Sequence, residues 1–526
     1  MSITSETIFF GDAQRSTTKA SQVKVIHTPH DLTTCEPGQL LQRWDFISRY
    51  NDDCLPLSMT DPLRHRSDPL SDDVVDLLDL KPGQDGLKAV EEYFQREGKA
   101  VSAEDEKIPE PIRKFWQEVH RRPPNSISGF VEGETEDNPR QLVEAMKNHD
   151  RIGKGRIPSL AEGQAVFWRY SAPIFVALMH FTLAGGFSAP HLSATMKETN
   201  YLTSKSRDAS YRRLVETSLM VLDCMSDMTI DQGIGWKSAI RVRLLHAQVR
   251  RRIRLGQGRL NAYSVEEHGI PINQYDLAIV LGGFMIAPLW SLRRVGLHLT
   301  PFESAAYVRA WTHVGFYLGI DDSLLERMYG RTYATAETSF AWLAFPAFPS
   351  EVPEDGYSTP AHRILSAVSG RPPAARPVGH HRELSRMLLG TRLADQLALP
   401  RGTRTDWFTS RYETSLSTAF ILFGRYWPRK QWEEERQAWF GEVMYLITLY
   451  HLGEKRTTFA WREEGRHEHK LGEGEGEEAG MSLGPAVWRE TRRRWIRLVG
   501  EMVGGTVLVL GTVLVGGWKV WSRTLS

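Results

Sequence analysis

Apolar residues recur three and four positions apart through the middle of the chain, and the segments carrying that period are long. Between residues 160 and 330 lie "AVFWRYSAPIFVALMHFTLAGG", "RRLVETSLMVLDCM", "IRVRLLHAQVRRRIRL", "DLAIVLGGFMIAPLWSL" and "ESAAYVRAWTHVGFYLG", separated by Gly, Pro and Asn signals such as "GIPINQ". Their period and length predict helices. Regular alternation of apolar and polar residues is missing, so few strands are expected. Two of the apolar runs are too short for a bilayer and read as buried core helices. Residues 380–460 continue the helical pattern with "ELSRMLLGTRLADQLAL" and "WEEERQAWFGEVMYLITLYHLG". The expected class is mainly α.

The ends read differently. Residues 1–40 look irregular, and 41–122 are polar and mixed, with "DPLRHRSDPLSDDVVDLLDL" and the turn-rich "HRRPPNSISG" after it. Residues 1–150 are expected to form an extension packed on a helical domain over 151–460. The glycine-rich, charged "REEGRHEHKLGEGEGEEAG" begins a linker over 461–497. Its Glu464 and His467 have a metal-ligand spacing, but alone in a linker the pair is incidental.

From Leu498 to Trp518 the chain reads "LVGEMVGGTVLVLGTVLVGGW", with Glu501 its only charge. Met502 to Trp518 is at the short end of a spanning helix. Arg492, Arg493, Arg494 and Arg497 precede it, and Trp495 and Trp518 mark its margins, as at an anchored helix. The competing reading is a buried helix or hairpin, since Val, Thr and Gly are weak helix formers in water. The anchor is the expectation, with the body on the cytosolic side. The N-terminus lacks the basic and apolar regions of a signal peptide.

Composition narrows the function. Lys and Arg total 65 against 64 Asp and Glu in 526 residues, a formal net charge of +1, so no broad nucleic-acid footprint is present. Hydrophobic residues at 41% can fill a substantial core. The three cysteines, Cys35, Cys54 and Cys224, fit neither a disulfide framework nor a paired metal motif. A P-loop and a nucleophile elbow are also missing.

The candidate chemistry sits on "RVRLLHAQVR", residues 241–250. On a helix, Val242, Leu245, His246, Val249 and Ile253 share one face, with Arg243 and Arg250 flanking the histidine. Three readings stay open. His246 is a hydrogen-bonded core histidine among arginine stems, or part of a basic nucleic-acid helix, which the neutral charge disfavours. Or it ligates an anionic metal cofactor such as haem, whose propionates the two guanidiniums would pair. In "YRRLVETSLMVLD", Arg213, Glu216, Thr217 and Met220 share a face that can line a cavity or merely hold a surface ion pair. Gly233 and Gly235 before Trp236 open the His246 helix. His180 and His191 flank "FTLAGGFSAP", and either can approach a cofactor, with core packing the better reading of His180.

Taken in order, "RRLVET … GIGW … RVRLLHAQVRR … GIPINQYDL … YVRAWTHVGFYLGI" resembles the catalytic domain shared by bacterial rubber oxygenases (latex clearing proteins) and the fungal ER-bound oxygenase of mycophenolic acid biosynthesis. The resemblance covers roughly residues 160–330. It implies a globin-related helical bundle holding haem b, with His246 as axial ligand and Arg213 and Thr217 near the distal face. A catalytic glutamate precedes the arginine in that family, and Glu198 in "ATMKETNYLT" is its nearest counterpart. The chain departs from the pattern twice. Glu216 stands where the best-known rubber oxygenases carry a lysine that can occupy the sixth iron position, and Val280 stands where a threonine is common.

The resemblance therefore implies a membrane-anchored oxygenase using haem b and O2 on an isoprenoid or other lipophilic substrate, with oxidative C=C cleavage, at the endoplasmic reticulum. The rival expectation is a non-catalytic, membrane-anchored helical protein that binds lipids or serves as a scaffold.

Overall fold

The computed structural model describes residues 8–9, 23–50, 57–81, 83–96, 108–124, 158–199, 207–258, 260–348, 351–371, 374–452 and 485–524. The 120–129 connection in part, the Glu464–His467 pair and the glycine-rich stretch lie outside them.

The chain is mainly helical, as its periodicity predicts. The acidic segment of the extension forms α1 (Pro69–Leu77), followed by α2 (Glu110–Val119). The central block supplies α3 (Leu160–Arg169), α4 (Ser171–Ala177), α5 (Pro190–Thr199), α6 (Arg207–Cys224), α7 (Ile234–Arg254), α8 (Gln274–Arg294) and α9 (Pro301–Tyr317). Farther on come α10 (Tyr333–Ala347), α11 (Arg404–Tyr426), α12 (Lys430–Leu452) and α13 (Pro485–Thr524). Several starts are written in capping residues. Ser159 with Glu162, Thr300 with Glu303 and Thr403 with Asp406 each close a capping box. Gly233 is the N-cap of the His246 helix, as expected from its spacing.

Helices α3 and α9 lie so close that a Cβ on Gly163 would fall 2.2 Å from the Ala306 carbonyl oxygen. Only glycine permits that approach. Helix α8 is long and apolar enough to cross a membrane, but its most apolar stretch is 89% buried within the protein, so it is a core helix. Between α4 and α5, Leu178–Gly186 is wound as a π-helix, a local widening that often accompanies functional sites.

A small sheet corrects the expectation of an irregular N-terminus. β1 (Ile8–Phe9), β2 (Val23–Val25), β3 (Leu40–Arg43) and β4 (Phe46–Arg49) pair in the order β1-β4-β3-β2. β3 and β4 are an antiparallel hairpin, while β1 and β2 add in parallel at the edges. Every residue of β3 is buried, so its two faces carry no polar alternation to read.

The C-terminal segment is helical rather than a hairpin. Its first half is no linker: residues 485–497 belong to α13, which packs on α11 and α12. Trp495 stacks on Phe420 and Trp439 at ring distances of 4.9 and 4.5 Å. The Trp432 indole donates to the Leu498 carbonyl at 3.0 Å. Side chains are described as far as Leu508, so the apolar remainder of the expected anchor lies outside them.

Candidate functional site

Helices of the central block enclose an apolar cavity of about 230 Å³, partly open to solvent. Apart from Ile253, the two faces read from spacing on α6 and α7 line it. Helix α7 presents Val242, Leu245, His246 and Val249; α6 presents Arg213, Glu216, Thr217 and Met220. Helix α5 adds Leu192, Thr195, Met196 and Thr199, and α8 adds Asp276, Leu277, Val280, Leu281 and Phe284. A second apolar cavity, of about 60 Å³, adjoins the first, and Phe187, Leu192 and Val280 line both.

His246 is the polar ring on the α7 wall. Its Nδ1 is buried and has no hydrogen-bond partner. Burial, with Arg250 nearby, pushes the imidazole down to about 3, so the ring is neutral. A neutral imidazole without a protein partner on an apolar wall is the form that ligates iron. Among the described residues, no group of three or more His, Cys, Asp and Glu could hold a metal ion by itself. Haem iron needs only one or two protein ligands, so a neutral His246 on an apolar wall suits that group.

Facing α7, the Arg213 guanidinium donates from Nη1 to Glu216 Oε2 at 2.7 Å, and Arg212 lies 3.5 Å from the other carboxylate oxygen. Glu216 is 4% exposed, and these cations compensate its burial. The Thr217 hydroxyl donates to the Arg213 carbonyl one turn back, at 3.0 Å. The structure thus brings together His246, Arg213 and Thr217 on one cavity.

It does not bring Arg243, Arg250 or Glu198 there, and the placement expected for these three is corrected. Arg243 makes a bidentate pair with Asp68 at 2.6 and 2.9 Å, and both residues are buried. Arg250 donates to Asp72 at 2.6 Å and to the Ser71 hydroxyl at 3.0 Å. Arg251 and Arg254 bind Asp76, and Arg241 binds Asp85 at 2.9 Å. The arginines of α7 therefore form a ladder with the acids of α1 and its flanks, on the face away from the cavity. The regular spacing of Asp68, Asp72 and Asp76 was the available signal. Glu198 is turned aside as well. Its carboxylate accepts the backbone N–H groups of Leu260, Asn261 and Ala262 at 2.9, 3.1 and 3.0 Å, clasping that loop.

Two further histidines are resolved by their contacts. His180 sits in the core, with Nε2 3.0 Å from Nδ1 of His381 and Nδ1 2.8 Å from the Val176 carbonyl. His191 stands beside the cavity, its Nε2 3.4 Å from Asp276 Oδ1. Asp276 was not a sequence candidate, because one aspartate at a helix start reads as a cap.

A helical body around a deep apolar cavity with one neutral histidine on its wall defines a protein of small-molecule chemistry. Residues 168–419, just under half of the chain, match the family described as "ER-bound oxygenase mpaB/B'/Rubber oxygenase, catalytic domain", so that segment is similar to the catalytic domain of these oxygenases. A solved structure of latex clearing protein LCP in the closed state is similar at 14% identity and a TM-score of 0.47, covering 76% of this chain and 95% of that one. Among curated proteins, none matches the chain.

Proposed function

We propose that the protein is a haem b-dependent oxygenase that cleaves a C=C bond of an isoprenoid or other lipophilic substrate, held at the endoplasmic reticulum membrane by its C-terminal helix. The observation that carries the reading is the neutral His246 ring, its Nδ1 without a protein partner, on the wall of an apolar cavity. Such a site, in a segment similar to the catalytic domain of oxygenases, points to iron and O2.

His246 would hold the iron, and the apolar faces of α5 and α8 would hold the substrate and exclude water. When bound, haem supplies the iron that activates O2, whose two atoms end in the two carbonyl products. Arg213, tied to Glu216, keeps a positive edge on the cavity where negative charge develops on oxygen. Thr217 orients the reacting group, although its hydroxyl must first leave the Arg213 carbonyl. Glu198 is given no part as a base, since three backbone donors occupy its carboxylate.

For the anchor, Glu501 is already answered. It accepts from the Trp427 indole at 2.9 Å and from Arg429 at 2.7 Å, which removes the charge that would oppose insertion. Val503, Val507 and Leu508 are exposed, as are Phe408, Tyr412 and Tyr426 on neighbouring α11. Exposed aromatic rings beside an apolar helix suit a membrane interface.

The test is an absorption spectrum of the full-length protein expressed with haem supply, beside His246→Ala. The expected result is a Soret band in the parent that is lost or shifted in the variant, and carbonyl products from an isoprenoid given O2. A haem-free parent would turn the case to a lipid-binding helical protein.

A further inference from the structure

One corner of the large cavity is short of partners. His191 and Thr195 stand one turn apart on α5, Tyr263 precedes α8, and Asp276 lies in the first turn of α8. His191 Nε2, Thr195 Oγ1, the Tyr263 hydroxyl and Asp276 Oδ1 are all buried, and none makes a well-formed hydrogen bond. They are also neighbours. His191 Nε2 and Asp276 Oδ1 are 3.4 Å apart, and the Tyr263 hydroxyl is close enough to feel both Thr195 and the Asp276 carboxyl. His191, Thr195 and Asp276 are 8%, 8% and 3% exposed, and the last two line the cavity.

Buried polar atoms nearly always find partners, because each one left over carries the cost of its lost hydration. One orphan is an accident of packing. Four in one corner, on three separate segments, are a set of groups missing the same partner. The chemistry of the set narrows that partner. Burial pushes His191 down to about 3, so its ring is neutral. Burial also pushes the Asp276 carboxyl up to about 7, against the backbone donor at Asn273 and the charge of Arg64. An imidazole nitrogen, two hydroxyls and a carboxyl oxygen together offer both donors and acceptors, with no fixed positive charge among them. A carboxylate or phosphate would meet a carboxyl oxygen, and a hydrocarbon would leave all four atoms unsatisfied. A hydroxyl group, donating once and accepting twice, can partner three of the four, which no purely accepting or purely apolar group can do.

We propose that this corner is a head-group subsite for an alcohol or phenol hydroxyl, so that the cavity selects a lipophilic alcohol over a hydrocarbon or ether of the same shape. The inference rests on reading the cavity as the substrate space, and it adds the polar end of the substrate to the apolar chain already inferred. The Tyr263 and Asp276 oxygens bracket the hydroxyl while the chain lies along the apolar faces of α5 and α8.

The experiment is calorimetric titration of the full-length protein with 1-octanol and with octyl methyl ether, repeated on Tyr263→Phe and Thr195→Val. The parent should bind the alcohol roughly tenfold more tightly than the ether, about the worth of one net hydrogen bond. Either variant should bring that ratio toward one, with ether affinity kept, because each hydroxyl removed makes no well-formed bond within the protein. Equal binding of the two probes by the parent overturns the proposal, as does no binding of either. A preference that both variants retain also overturns it, and leaves the corner to ordered water. Two variants guard against one failing to fold. The Soret spectrum of the same samples separates the two readings. Alcohol preference in haem-free protein upholds the subsite and sinks the oxygenase reading, while a Soret band with equal probe binding does the reverse.

Discussion

Asp68 and Arg243 meet in two hydrogen bonds inside the protein, and their neighbours leave them no slack. Gly319, at φ +84°, lies beside them, and a Cβ there would come within 2.4 Å of Asp68 Oδ2 and 2.6 Å of Arg243 Nε. Burial pushes the Asp68 carboxyl up, but Arg243, Arg250 and Ser71 outweigh it and hold it below the usual range. Its stabilising effect is thus complete above the ordinary carboxylate range and is lost as pH falls through the lowered value. Removing one partner strands the other charge. Asp68→Ala should cost about 3–5 kcal/mol in denaturant unfolding, and Asp68→Leu with Arg243→Met should recover most of it. Glu198 gives a second residue-scale test. Glu198→Ala should cost roughly 1–3 kcal/mol, since three loop donors lose their acceptor, and should speed hydrogen exchange at the Leu260 and Ala262 amides. Protection unchanged at those amides would remove the clasp. The apolar face of α7 showed where His246 points, but its role as a ligand came only with the family resemblance. The partners of the arginines were not legible, because spacing along a helix says nothing of a second helix 175 residues away.

At the scale of elements, periodicity located the core helices well, and it also gave the faces of α6 and α7 that line the cavity. It failed where burial is two-sided, as in β3, and where one helix passes from docked to exposed side chains, as α13 does between Met502 and Leu508. That last division has a consequence for truncation. A chain ending before Pro485 should expose Trp432, Trp439 and Phe420, which α13 covers, and should aggregate in size-exclusion chromatography. A chain ending after Val503 keeps Leu498, Val499, Met502 and the Glu501 contacts, and should stay monodisperse. Only the full-length chain should float with phospholipid vesicles; flotation of the shorter one would assign the membrane contact to α11.

For the molecule as a whole, buried histidines set the response to acid. Burial pushes His180 down to about 4 and His191, His246, His313 and His381 to about 3. The unfolded chain protonates each near pH 6.5 while the folded chain does not, so their stabilising effect is complete above that pH and shrinks as pH falls toward 3–4. Asp276, pushed up to about 7, works the other way: its effect is complete below the ordinary carboxylate pKa and is lost as pH rises through 7. One group opposes five. The melting temperature of haem-free protein should therefore drop between pH 7 and pH 5, and a rise on acidification would refute the neutral-histidine core. The ladder between α1 and α7 reaches into a different domain of time. α1 leaves the ribosome well before its arginines, since Asp68 and Arg243 are 175 residues apart. At about 5–20 residues per second, the wait is roughly 10–35 s. Throughout it α1 carries Asp68, Asp72 and Asp76 without their cations, and water alone must keep the nascent helix soluble. The acids that lock the finished protein are, during synthesis, solvated charges still waiting for their partners.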